Sequence, residues 1–187
     1  MTAGPRPTLV RELLRAAAWL VVVGAVMLGV LAALDAVPAW INGESRDVRL
    51  ASSLEDAERR VRARLVLPAY FPDTLGWPPE RIRVLDGQPP AVALQVTARG
   101  GGETRLVLAQ TIGVGEIPER LLPPAGALDE ASVAIAGGQG RLRRIVGPDG
   151  QIWREVAWTQ GDRTLVARSK GSLEELLRMV RSARVQP

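Results

Sequence analysis

The sequence predicts an α+β fold, in which an N-terminal transmembrane helix precedes an antiparallel meander of about six or seven strands flanked by two amphipathic helices. Three observations predict it. Residues 16–34 form an apolar run without a charge. Residues 81–169 alternate short β-like runs with turn residues. Two serine-led segments, which begin near residues 52 and 172, repeat apolar residues at helical spacing.

Composition limits the chemistry. The chain has 187 residues, 47% of them hydrophobic, which is enough for one domain and an appendage. It contains no Cys and no His, so disulfides, thiol nucleophiles, cysteine–zinc sites and imidazole bases are excluded. The charges are mixed, with a net charge of +4, and do not predict nucleic-acid binding. We therefore expect no enzyme, no catalytic residue, no metal and no cofactor. A hydrolase that uses Asp73, Glu80 or Asp86 is the catalytic alternative.

The apolar run AAAWLVVVGAVMLGVLAAL, residues 16–34, would span roughly 28 Å as a helix, about the thickness of a hydrocarbon core. Arg6, Arg11 and Arg15 precede it, which favours a cytoplasmic N-terminus. A signal anchor is therefore the leading interpretation. A cleaved signal peptide, cut near residues 37–39, and a buried soluble helix are the alternatives.

The predicted organisation follows from this anchor. The parts are a short cytoplasmic N-terminus (1–15), a transmembrane helix (16–34), a tether (35–50) and an extracytoplasmic α+β domain (51–187). Within the apolar run, Ala25, Gly29 and Ala33 form a stripe of small residues that would let the helix pack against another membrane helix. Such residues are also common in spanning helices without any partner.

The first amphipathic helix begins after Ser52 or Ser53, either of which can cap it. Its apolar positions include Leu54, Ala57, Val61 and Leu65. The helix must end before Pro68, because a residue that precedes proline is disfavoured in the α region.

The segment LPAYFPDTLGWPP then gathers Tyr70, Phe71 and Trp77 between prolines. Proline lowers the entropy cost of holding one chain route, so the aromatics can act as plugs over the end of the core. A recognition surface of exposed aromatics is the alternative.

Seven β-like runs follow. They lie at 81–86, 91–98, 103–112, 131–137, 140–147, 151–160 and 163–169. Most are joined by short Gly-containing turns, which force antiparallel neighbours. Trp153 and Trp158 are five residues apart on one strand and therefore point to opposite faces, so that one lies in the core and the other can cover the helix or occupy a groove.

The longest irregular stretch, residues 113–130, carries Ile117, Leu121 and Leu122 between prolines. Long loops in compact domains are often functional, and these residues are a candidate interaction surface. A loop that folds back onto the sheet edge is the alternative.

The last helix is capped by Ser172 with Glu175 three residues later. Lys170, the only lysine, precedes it in a turn, where an exposed lysine is expected. A Ser–Lys catalytic dyad with Ser169 is the alternative.

The run IWREVAWTQGDRTLVARSKGSLEELLRMVRSAR resembles the end of a bacterial domain-of-unknown-function family. The shared pattern is a strand with a tryptophan (Trp158 here), a Gly-Asp turn, a second strand and a Ser-Leu-Glu-Glu-Leu-Leu helix. The segment LPAYFPDTLGWPP resembles the proline–aromatic–proline opening of the sheet in lipid-lumen and lipoprotein-sensing folds. The resemblance implies an extracytoplasmic, membrane-anchored domain without catalytic residues, and some members accompany anti-sigma-type regulators.

These observations predict a single-pass cell-membrane protein with an extracytoplasmic binding or sensing domain. It would act without catalysis, through contacts with the membrane and with other membrane or extracytoplasmic proteins. The alternative is an accessory or structural subunit of a larger membrane protein complex.

Overall fold

The computed structural model describes residues 47–185 except 123, 136, 137 and 148. It also describes eight residues of the apolar run, which are 17, 19–21, 23, 24, 26 and 27. The chain divides into two compact units, Met1–Glu44 and Ser45–Pro187. In the first unit the eight described residues are helical and exposed.

The second unit contains ten strands and two helices within its described residues. The strands are β1 (Val48–Ala51), β2 (Val66–Pro68), β3 (Arg81–Leu85), β4 (Ala91–Thr97), β5 (Thr104–Thr111), β6 (Gly126–Ile135), β7 (Gly138–Val146), β8 (Ile152–Gln160), β9 (Arg163–Ser169) and β10 (Ala183–Val185). The helices are α1 (Leu54–Val61) and α2 (Leu173–Arg181).

Eight of the strands form one antiparallel sheet in the order β1-β3-β4-β5-β9-β8-β7-β6. The sheet therefore joins two smaller meanders, one built from β3 to β5 and one from β6 to β9, through the pairing of β5 with β9. The long connection between Thr111 and Gly126 carries the chain from β5, in the middle of the sheet, to β6 at its far edge.

One face of the sheet is covered by both helices. Apolar side chains of α1 and α2, such as Ala57, Val61, Leu176 and Met179, pack against alternate residues of the central strands. Trp158 lies in this core and is 7% exposed. The paired strands β2 and β10 lie beside the helices and contribute Val66 and Leu67 to the core. This face is the main hydrophobic core of the domain.

The opposite face is covered by the connection between β5 and β6. Leu121 and Leu122 pack there against small residues of the strands, among them Ala91, Ala93 and Ala109. Alanines leave the space that the two leucines need, because they add little volume above the sheet. This second core is smaller than the helix-covered one and lies towards the β3 side of the sheet.

The caps fix where the helices begin and end. Ser53 caps α1, since its hydroxyl accepts the backbone N–H of Asp56 at 3.1 Å. Ser172 caps α2 in the same way through Glu175, as the sequence predicts. Helix α1 ends at Val61, six residues before Leu67, the residue that precedes Pro68. It ends there because Arg62 adopts the left-handed conformation with φ 54°.

The fold class predicted from the sequence is wrong. The domain is mainly β: an eight-stranded antiparallel sheet dominates it, and only 17% of the structure is helical. The predicted transmembrane helix is not found, since no helix among the described residues has the length and apolar character that a membrane crossing requires. Most of residues 16–34 lie outside the described residues.

The errors in strand number and order have physical causes. Strands β1, β2 and β10 have three or four residues each, too few to show a period of two in the sequence. Strand β6 begins at Gly126, inside the stretch predicted to be irregular. The sequence does not reveal this strand, because its edge position leaves its residues exposed and without an apolar alternation. The predicted meander is interrupted after β5, which pairs with β9 and not with β6. A short turn makes two successive strands pair with each other, whereas a long connection does not.

Candidate functional site

A row of side chains, polar or charged except for Val107, crosses the loop-covered face. It is set by strand register, because directly paired residues share a face of the sheet. The row runs through Arg81, Gln95, Val107, Arg168, Glu155, Arg143 and Glu130 on seven successive strands. On the helix-covered face, by contrast, the side chains of the central strands are mostly apolar, with Gln110 and Ser169 as buried polar residues among them.

Glu155 is the centre of this row. It is 1% exposed and accepts hydrogen bonds from two arginines, Arg143 on β7 and Arg168 on β9. The bond from Arg168 Nε measures 2.6 Å and that from Arg143 Nε 2.9 Å. A carboxylate buried this deeply is stable only when it is paired and hydrogen-bonded, so the two arginines are part of the folded structure.

A cavity of about 420 Å³ opens on this face beside the row. Its walls combine apolar side chains with cations and acids. The lining residues are Arg83, Gln95, Glu103, Thr104, Val107, Leu121, Leu122, Ile145, Gly147, Asp149, Trp153, Arg168 and Lys170. Ile145 and Trp153 are directly paired across β7 and β8 and form the wall farthest from β3.

Lys170 lies at the Trp153 side of the cavity. Its side chain is only 5% exposed, so the prediction of an exposed lysine is wrong. The ammonium pairs with Glu103 and, at 2.5 Å, with Asp149, and it lies 4.9 Å from the ring centre of Trp153. The indole Nε1 in turn donates to Asp149 at 3.2 Å. Trp153 is thereby held against Gly147, where a Cβ would collide with the indole ring.

The charges of this cluster stabilise one another. The hydrogen bond from Lys170 lowers the pKa of Asp149 to about 2, and the same lysine lowers the pKa of Glu103. Burial opposes the charge of Lys170, but its bonds with Asp149 and Glu103 outweigh burial and raise the pKa of the lysine. All three groups are therefore ionised at neutral pH.

Arg83 lies at the opposite side of the cavity. Its Nη2 donates to the carbonyl of Leu121 at 2.7 Å and its Nη1 to the carbonyl of Arg120 at 3.5 Å. Its Nε is buried without a hydrogen-bond partner. Burial, and then the charge of Arg81, lower the pKa of the Arg83 guanidinium. Within the described part of the chain, Arg83 makes no ion pair.

The predicted aromatic surface is divided between core and solvent. Tyr70 and Phe71 are half-buried and pack against the helix-covered core, and Arg178 lies 3.9 Å from the Tyr70 ring centre. Trp77 is 43% exposed and packs against Phe71, with 4.4 Å between ring centres and the rings tilted by 36°. The segment thus packs over the core, with Trp77 as its exposed aromatic.

The other predicted residues fall in different places. Leu121 and Leu122 are buried in the second core and form a wall of the cavity, and Ile117 packs beside them. Leu121 and Leu122 therefore lie inside the domain, whereas Ile117 is partly buried. Ala25, Gly29 and Ala33, the predicted packing stripe, lie outside the described residues.

Sequence reasoning missed most of the cavity. The sequence places Trp153 and Trp158 on opposite faces without deciding which lies in the core; in the structure Trp158 lies in the helix-covered core and Trp153 lines the cavity. Arg83, Glu155 and Arg168 carry one available signal, which is a charged residue at an interior position of an otherwise apolar strand. That signal does not reveal their partners, because strand order decides which charges meet.

Across residues 47–185, apart from the four gaps, no group of three or more acidic side chains is placed to hold a metal ion. A lysine that acts as a base needs a lowered pKa, whereas that of Lys170 is raised. Asp86, a carboxylate of the hydrolase alternative, pairs with Arg49 at 3.2 Å outside the cavity.

Comparison with protein-family models, with curated proteins and with solved structures found no significant match. The resemblance to a bacterial domain family described above stays a prediction.

Proposed function

We propose that the domain is a non-enzymatic binding domain that takes a ligand into the cavity on the loop-covered face. The observation that carries this proposal is the apolar cavity of about 420 Å³, whose acidic groups are already paired with cations. Sites for small molecules have volumes of roughly 300–1,000 Å³ and mostly apolar walls with a few fixed polar groups. The cavity has both properties.

The protonation states favour binding over catalysis. A general acid or base works best with a pKa near the working pH. The pKa values of Asp149 and Glu103 are shifted away from neutrality, and so is that of Lys170. These groups can orient a ligand and exclude water, but they are poor proton carriers at neutral pH.

A filled cavity provides the test. We expect the full chain to bind a neutral apolar fluorescent dye, 1-N-phenylnaphthylamine. Val107 is half-buried in the cavity wall, so Val107→Trp should fill the cavity and weaken dye binding about tenfold or more. Leu128→Trp adds the same side chain on exposed β6 and is the matched control.

The control variant should bind like the parent protein. Unchanged dye affinity in Val107→Trp, with its folding verified by circular dichroism, would show that the cavity is not a binding site. Dye that binds to the apolar run of residues 16–34 contributes equally to both measurements, because both variants retain that run. The difference in affinity between the variants therefore reports on the cavity alone.

An accessory subunit of a larger membrane complex is the second candidate. It is favoured by β6, a ten-residue edge strand whose residues are mostly exposed, including Leu128 at 53%. An open edge can accept a strand from a partner. Co-purification from native membranes in fixed stoichiometry with other subunits would support this candidate, whereas recovery as a free monomer would argue against it.

A location at the cell membrane, with the N-terminus in the cytoplasm and the domain outside, stays a prediction from the sequence. Protease protection tests it. Digestion of residues 47–185 from the cytoplasmic side would contradict the predicted orientation.

A further inference from the structure

We propose that the cavity binds a single-chain amphiphile that ends in an oxyanion, with the oxyanion at Arg83 and the apolar chain directed towards Trp153. This inference rests on the proposed binding function and adds the chemical class and orientation of the ligand. A carboxylate and a phosphate share the required head-group chemistry.

The first argument is the distribution of charge around the cavity. Lys170 is paired with two carboxylates, Glu103 and Asp149, and Arg168 shares Glu155 with Arg143. Arg83, by contrast, has no carboxylate partner among the described residues. The three lining cations therefore differ in availability, and Arg83 is the one left to meet a ligand anion.

The second argument is the local field at β3. Arg81 and Arg83 are two residues apart on one strand and so project from the same face of the sheet. Their like charges repel, and the charge of Arg81 contributes to the lowered pKa of Arg83. An anion placed here would relieve this repulsion, because it would attract both guanidinium groups.

The third argument is the geometry of the Arg83 guanidinium. The carbonyls of Arg120 and Leu121 hold it in place, yet the Nε has no partner and the bond to Arg120 is long at 3.5 Å. A fixed fork with unused donors matches a carboxylate or a phosphate, which accepts two parallel hydrogen bonds. The guanidinium carries five N–H donors, so a ligand oxygen can bond to the Nη hydrogens that the two carbonyls leave unused.

The shape of the cavity indicates a long, apolar ligand body. The cavity extends from Arg83 on β3 to Trp153 on β8, four strand spacings of about 4.8 Å, or roughly 19 Å. Between these ends the walls include Val107, Leu121 and Leu122. An extended alkyl chain across the strands would bury apolar surface along this whole path.

The test measures calorimetric binding of decanoate, decyl phosphate and decanol to the full chain at low salt. We expect either anion to bind about tenfold or more tightly than decanol, because a charge-assisted pair at Arg83 is lost with the neutral head group. Binding of both anions indicates a general oxyanion site. Binding of decyl phosphate alone indicates a phosphate head group.

Variants assign the head-group site. Arg83→Gln should weaken binding of the preferred anion about tenfold and leave decanol unchanged. Arg184→Gln, at an exposed position of β10 away from the cavity, should have no effect and is the control. Arg83→Lys keeps the charge but not the fork, so it should give an intermediate loss and replaces the glutamine variant if that fails to fold.

The outcomes separate the two proposals. Equal affinity for decanol and both anions, or an anion preference that survives in both Arg83 variants, would overturn the ligand assignment and leave the binding function standing. Failure of every amphiphile to bind, together with failure of the neutral dye, would overturn both.

Discussion

The two faces of the eight-stranded sheet are built from alternate residues of the same strands, yet they differ in cover and in content. The helix-covered face packs apolar side chains against α1 and α2, with residues such as Leu94, Val156 and Leu176 fully buried. The loop-covered face carries a buried carboxylate, several arginines and a cavity of about 420 Å³. One face is filled, whereas the other retains space and charge.

This difference indicates how one sheet can separate stability from binding. Burial of apolar surface stabilises the helix-covered face without directional requirements. The polar groups of the other face must each find a partner, so their positions are fixed by hydrogen bonds. A rigid polar frame around an apolar space is the arrangement that a ligand site needs.

The largest expected effect is on the helix-covered face. Leu176 of α2 is 0% exposed, and Leu176→Ala should lower the free energy of unfolding by about 3–4 kcal/mol through lost burial and the remaining void. Val107→Ala, on the cavity wall, should cost only about 0.8 kcal/mol because the space beside it is already open. Urea denaturation of the full chain measures both, and similar costs would contradict the contrast between a filled face and an open one.

The next effect tests the buried charges. Glu155→Leu leaves Arg143 and Arg168 without their shared carboxylate and should destabilise the domain by about 2–3 kcal/mol. Asp86→Ala breaks the exposed pair with Arg49 and should cost about 0.5 kcal/mol or less. Urea denaturation compares the two variants. A loss in Glu155→Leu no larger than that in Asp86→Ala would show that Glu155 does not hold the second face together.

The part of the fold that could be predicted depends on local signals. The serine caps, the short turns and the opposite faces of Trp153 and Trp158 each depend on a few neighbouring residues. The structure confirms the Ser172 cap and shows the two tryptophans on opposite faces of the sheet. The pairing of β5 with β9 is not local, because a long connection separates β5 from β6. The cavity depends on that pairing, which brings Val107 beside Arg168, so it could not be predicted from the sequence.

The smallest expected effect concerns acid and the Trp153 side of the cavity. The folded domain holds the pKa of Asp149 at about 2, below its usual value, chiefly through Lys170. A lowered pKa stabilises the folded state above the usual value, and this contribution is lost as the pH falls from about 4 to about 2. Asp149→Asn should therefore destabilise the domain at pH 6 but much less at pH 2, as measured by urea denaturation.

A double-mutant cycle with Lys170→Met isolates the charge interaction behind this pH dependence. The asparagine oxygen can still accept the hydrogen bond from Trp153 Nε1, so the substitution chiefly removes the charge that pairs with Lys170. We expect a favourable coupling between Asp149 and Lys170 at pH 6 that fades as Asp149 is protonated. A coupling of the same size at pH 2 would mean that packing, and not the ion pair, holds this side of the cavity in place.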